Sequence, residues 1–152
     1  MARPTTALIV DDEAHVRVFV RLLLKEAGVE KTWEASDGEK GLALVAEHHP
    51  ELVLLDINMP IMDGLAMLSE MAERHPEVPV VMLSSLGAVK TVRECVERGA
   101  VGYILKHSSK AAAVAMLRET LDSLAVDDAD NAAADEDDAA GANQSAPDAP
   151  AS

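Results

Sequence analysis

Five short runs of strand character recur along the chain, and each is followed by a stretch whose apolar residues fall at helical spacing. The runs are TALIV, KTWEA, LVLLD, VPVVMLS and VGYILK. After the first, Val16, Phe19, Val20, Leu23, Leu24 and Ala27 mark one helix face before Gly28 stops it. Asp37-Gly38 turns the chain into a second helix through Leu42, Leu44, Val45 and Ala46, ending near His48-His49-Pro50. Further helices are predicted from Gly64 to about Arg74, through Val89, Val92 and Val96 to Gly99, and from about Ser109 to Leu124. Such strict alternation points to an α/β fold with a parallel sheet. The first, third and fourth runs are continuously apolar, as expected of strands covered by helices on both faces.

Hydrophobic residues are 49% of the 152 and aromatics only 2%, so one aliphatic core is expected. Met59, Met62, Met67 and Met71 read as core filler. The single cysteine, Cys95, excludes an internal disulfide and reads as a small apolar filler on a helix. No apolar run approaches the roughly 18 residues of a membrane span, and no signal peptide is visible at the start. Together these give a cytoplasmic expectation.

Net charge is −14, and residues 127–152 hold eight acids with no Lys or Arg, leaving −6 to the first 126. With no basic stripe, direct nucleic-acid binding is not expected. Residues 126–152, rich in Ala and acids with no large apolar side chain beyond Val126, read as a disordered tail on a domain spanning 1–125.

LVLLD poses the chemical question, because an apolar run ends on a carboxylate, Asp56, that costs on the order of several kcal/mol to bury uncompensated. In open parallel sheets, ligand sites lie outside the carboxyl ends of the strands. Standing there are Asp11 and Asp12, Asp56, Ser84 and Lys106. Paired acids before a helix often serve only as caps, but here they align with Asp56 and Lys106. Three gathered carboxylates would repel one another, and a hard divalent cation relieves this. Oxygen-only ligands suit Mg²⁺, Lys106 suits a phosphate oxygen, and Ser84 adds a hydroxyl donor.

The motifs IVDDE, LLDINMPIMDG, VVMLSS and GAVGYILK, in this order over about residues 5–125, resemble the receiver domain of two-component response regulators, in a stand-alone, chemotaxis-regulator-like form. That resemblance implies a flavodoxin-like, doubly wound sheet of order 2-1-3-4-5 with five helices. It makes Asp56 the phosphoacceptor, with Asp11, Asp12, Asp56 and the backbone carbonyl of Asn58 around Mg²⁺. Ser84 and Lys106 would bind phosphoryl oxygens, and Ser84 and Tyr103 would act as the switch. A histidine kinase or phosphotransfer protein would be the donor. A downstream protein target would read a face including Lys90, Arg93, Glu94, Glu97 and Tyr103. Phosphorylation-dependent homodimerisation is compatible with the family. The chain would be a switch and not a turnover enzyme.

Two departures from the family pattern stand out. His107 follows Lys106 where proline is usual, so a trans peptide is expected there. Leu86, two past Ser84, cannot orient water, which implies a longer-lived phosphate than a polar residue would give. Two other functions compete. A phosphatase with Asp56 as nucleophile would need an acid where Asn58 stands, and a module of this fold that is never phosphorylated would tolerate Asp56→Asn. The histidines show no metal-ligand spacing and read as surface residues.

Overall fold

The computed structural model describes residues 4–57, 59, 61–84 and 89–137; the side chains described exclude those of 89–92 and 126–137. Five strands, β1 (Thr6–Val10), β2 (Lys31–Ala35), β3 (Val53–Asp56), β4 (Val80–Ser84) and β5 (Gly102–Leu105), alternate with five helices. These are α1 (Ala14–Glu26), α2 (Gly38–His48), α3 (Gly64–Arg74), α4 (Val89–Glu97) and α5 (Lys110–Asp137). The strands form one parallel sheet of order β2-β1-β3-β4-β5, the order the family resemblance implies.

Because side chains alternate along a strand, each strand supplies both faces. Leu8, Val10, Val53, Leu55, Val80 and Met82 join one buried cluster with Leu42 and Val45 of α2, Met67, Leu68 and Met71 of α3, and Cys95 of α4. Met59 and Met62 pack against the same cluster, so all four methionines are filler, as expected. The intervening Ala7, Ile9, Leu54, Val81 and Leu83 are buried too. Buried side chains of α1 (Val16, Val20, Leu23, Leu24) and α5 (Val114, Leu117) lie outside that cluster. Arg118 ties these two helices together by donating to the Glu26 carbonyl at 3.0 Å.

Local signals start and stop the helices. Asp37 accepts from Lys40 N–H at 2.8 Å, and Asp63 from Ala66 N–H at 2.9 Å, each an N-cap. Gly28 ends α1 at φ +99°, a conformation that costs glycine little. His48 is exposed, as the surface reading has it, and its ring stacks on Trp33, centroids 4.7 Å apart and 12° from parallel.

By internal contacts the chain divides into residues 4–120, which hold the whole sheet, and a second unit of 1–3 with 121–152. The described part of the second unit is helical. The sequence pattern places the end of the last helix near Leu124 and disorder from 126, whereas α5 runs 28 residues to Asp137. No Gly or Pro stands between Tyr103 and Ala140, and the segment is rich in alanine, the strongest helix former. Residues 138–152 lie outside the described residues.

Candidate phosphoryl and metal site

Three parallel strands deliver the charged side chains to one place. Asp56 is the last residue of β3, Asp11 follows β1, and Lys106 follows β5. The Lys106 N–H donates to the Ser84 carbonyl at 2.8 Å, extending the β4–β5 ladder by one residue and fixing the lysine beside the ends of β3 and β4. Its ammonium lies 2.9 Å from Asp56 Oδ1 and 3.0 Å from Asp11 Oδ2, with the side chain only 7% exposed. Here is the compensation that the apolar run into Asp56 requires.

Asp11 is held on every side. Its N–H donates to the Ala35 carbonyl at 3.1 Å, and its Oδ1 accepts from Glu13 N–H at 2.8 Å. Its carbonyl accepts from Arg17 Nη1 at 2.7 Å, and Arg17 is itself paired with Glu34 of β2 at 3.1 Å. Burial pushes the Asp11 carboxyl above its usual range, against the lowering effect of the Glu13 N–H and of Lys106. For Lys106, burial disfavours the ammonium, but its pairing with the Asp56 and Asp11 carboxylates outweighs this and the net shift is upward.

Asp11, Asp12 and Asp56 each bring a carboxylate oxygen within 4.8 Å of the others, Asp12 from an exposed position. Asp11 Oδ2 is buried and, although paired with Lys106, receives no aligned hydrogen bond. An all-oxygen set with an under-coordinated buried carboxylate fits a hard divalent cation. Asn58, expected to add a backbone carbonyl, lies outside the described residues, as does Leu86.

Ser84 is buried at the end of β4, while Tyr103 is 40% exposed on β5, opposite Met82 in register. On α4, Arg93 and Glu97 are exposed, Glu94 pairs with Arg98 at 3.0 Å, and the Lys90 side chain is not among those described. Val96, read from the sequence as one of the apolar positions of this helix, is exposed, as is Val101, which the sequence reading did not single out. Among described residues no peptide bond is cis, consistent with the trans geometry expected at His107.

Three further residues shape the site without having been expected there. Glu13 lies 3.5 Å from Lys106 Nζ, Arg17 anchors the Asp11 backbone, and Gly64 donates its N–H to the Ile57 carbonyl at 2.8 Å, beside Asp56. Ile61, in the same loop, holds φ +69° and is largely exposed.

Residues 7–118 match the family described as the response regulator receiver domain. The chemotaxis protein CheY of Bacillus subtilis is 35% identical over 99 residues, 65% of this chain and 82% of that protein. The protein-glutamate methylesterase/protein-glutamine glutaminase of Archaeoglobus fulgidus is 43% identical over 102 residues, 65% of this chain but 29% of that protein. For regulatory protein AtoC of Escherichia coli the figures are 39% over 99 residues, 65% and 21%. In these two longer relatives the shared stretch is a minor part. Among solved structures, the receiver domain of NtrX from Brucella abortus superposes with a TM-score of 0.70 at 36% identity, over 76% of this chain and 98% of that one. The chemotaxis response regulator CheY4 of Vibrio cholerae gives 0.70 at 25%, over 78% and 99%. With the sheet order, the strand-end acids and the lysine all in place, the chain belongs to the receiver domain family of two-component response regulators.

Proposed function

We propose that the chain is a response regulator in which Asp56 accepts a phosphoryl group from a histidine kinase or phosphotransfer protein in the cytoplasm. The observation that carries this is the placement of one ammonium, Lys106, within 3.0 Å of both Asp56 and Asp11 at the carboxyl edge of the sheet. An Asp56 oxygen bonds to phosphorus, the bond from phosphorus to the donor imidazole nitrogen breaks, and that nitrogen keeps the electron pair. Lys106 exchanges a carboxylate for a phosphoryl oxygen, so the charge arriving at Asp56 meets a cation already in place. Mg²⁺ held by Asp11, Asp12 and Asp56 would supply further neutralisation of the phosphoryl oxygens.

The output is a change of surface. Ser84 supplies a hydroxyl to the phosphoryl group, and Tyr103, now outward, turns into the space left. Arg93, Glu94, Glu97, Tyr103 and, by sequence, Lys90 make the face that a downstream protein reads. Catalysis is limited to self-phosphorylation and loss of the phosphate; Asn58 offers no general acid for turnover.

The test is intact mass after incubation with Mg²⁺ and acetyl phosphate. The wild type gains one phosphoryl group and Asp56→Asn gains none. Equal gain in both would move the acceptor elsewhere.

A further inference from the structure

Glu13 stands at the N-cap of α1, where a short polar side chain ordinarily accepts from the first turn. Its carboxylate makes no such bond. Instead Oε1 lies 3.5 Å from Lys106 Nζ, while the Glu13 N–H is taken by Asp11 Oδ1. An ammonium carries three N–H donors, and that of Lys106 faces three carboxylates, at 2.9, 3.0 and 3.5 Å. Asp56 and Asp11 are buried, whereas the Glu13 side chain is 48% exposed and so lines the solvent rim of the site. It is also outside the group of acids placed to hold a metal.

Resting on the phosphoacceptor reading above, we infer that Glu13 selects among phosphoryl donors. Its charge at the rim opposes small dianionic acyl phosphates, and its pull on Lys106 withholds part of the cation they need. A phosphohistidine carried on a protein brings binding contacts of its own that offset this. The chemical step with a small donor is simple: an Asp56 oxygen bonds to phosphorus, the bond from phosphorus to the acetate oxygen breaks, and acetate leaves with the electron pair. Glu13 touches none of these atoms; it acts as a positioning and specificity residue through Lys106 and through charge.

The experiment compares wild type, Glu13→Gln and Glu13→Asp with acetyl phosphate and Mg²⁺, following intact mass over time at low and high salt. Glu13→Gln is expected to react about three- to tenfold faster at low ionic strength, the effect of one unit charge near a partly solvated site. That gain should shrink toward unity at about 0.5 M salt, where screening is nearly complete beyond contact distances. Glu13→Asp keeps the charge at the rim but, one methylene shorter, gives up reach to Lys106, and falls between the wild type and Glu13→Gln. Mg²⁺ affinity, read by calorimetry without donor, moves the opposite way and weakens a few-fold in Glu13→Gln, a pairing of signs that a merely structural role would not produce. A wild type that gains mass while Glu13→Gln only matches its rate, or a gain indifferent to salt, overturns donor selection alone. A wild type that gains no mass overturns the phosphoacceptor reading and donor selection together.

Discussion

Gly64 lies hard against the backbone of Asp56: a Cβ added there would meet Ile57 Cα at 2.7 Å and the Asp56 carbonyl carbon at 2.9 Å. Both obstacles are main chain and cannot swing aside. Gly64→Ala is expected to cost roughly 2 kcal/mol, as overpacking does, and to slow the proposed phosphorylation because the strain falls on the backbone of Asp56. Urea denaturation checks the first effect. An unchanged midpoint would show that the loop yields freely.

Lys106 joins the ends of three strands, and its removal strands two buried carboxylates. Lys106→Met is expected to lose about 3 kcal/mol at neutral pH, the cost of breaking a buried pair from one side. Its pKa is raised in the fold, so its contribution is complete below the unfolded value of 10.5 and fades as pH climbs through the higher folded value. The stability gap between wild type and Lys106→Met should therefore close in alkali. A gap that persists there would assign the effect to packing of the lysine stem.

Asp11 behaves in the opposite sense. Burial raises its pKa above 3.8, so the fold favours its neutral form; that stability is present below 3.8 and lost as pH rises through the folded value. At pH 7 without divalent cations, Asp11→Asn should be more stable than the wild type, with the advantage vanishing in acid. Adding Mg²⁺ at about a hundred times its dissociation constant should stabilise the wild type by about 2.7 kcal/mol and the variant far less. Thermal melts in chelator and in Mg²⁺ decide it; a wild type indifferent to Mg²⁺ would exclude this carboxylate as a ligand.

Ile61 holds φ +69° with a β-branched side chain that is 77% exposed. That conformation costs a non-glycine residue about 1–2 kcal/mol, and so little of the side chain is buried that burial returns little of it. Ile61→Gly is expected to gain up to about 1 kcal/mol once glycine's greater unfolded freedom is subtracted. A loss on calorimetric melting would mean that the positive φ of Ile61 holds no strain for glycine to relieve.

The sheet and the main charges were legible because each is written locally. An apolar run that stops on Asp56, or a Tyr-Ile-Leu that stops on Lys106, marks a strand end without reference to anything distant. Glu13 was not legible as a site residue, since an acid at a helix start is already explained by the helix dipole; only the fold shows that it reaches Lys106, 93 residues away. Arg17 hid likewise as one more polar position on α1. Gly64 read only as the start of a helix, because sequence does not say what backbone it must pass. The stack of His48 on Trp33 depends on the way α2 returns beside β2, which spacing within α2 does not reveal.

The grouping of Asp11, Asp12, Asp56 and Lys106 also implies a whole number. Among the described residues, the three carboxylates of that group and the ammonium between two of them leave a remainder of two negative charges, to which Glu13 adds a third from the rim. One divalent ion neutralises the group itself, a second would overshoot even with Glu13 counted, and a monovalent ion would fall short. Titration calorimetry should therefore return a stoichiometry of one for Mg²⁺, and sodium at equal activity should not substitute for it.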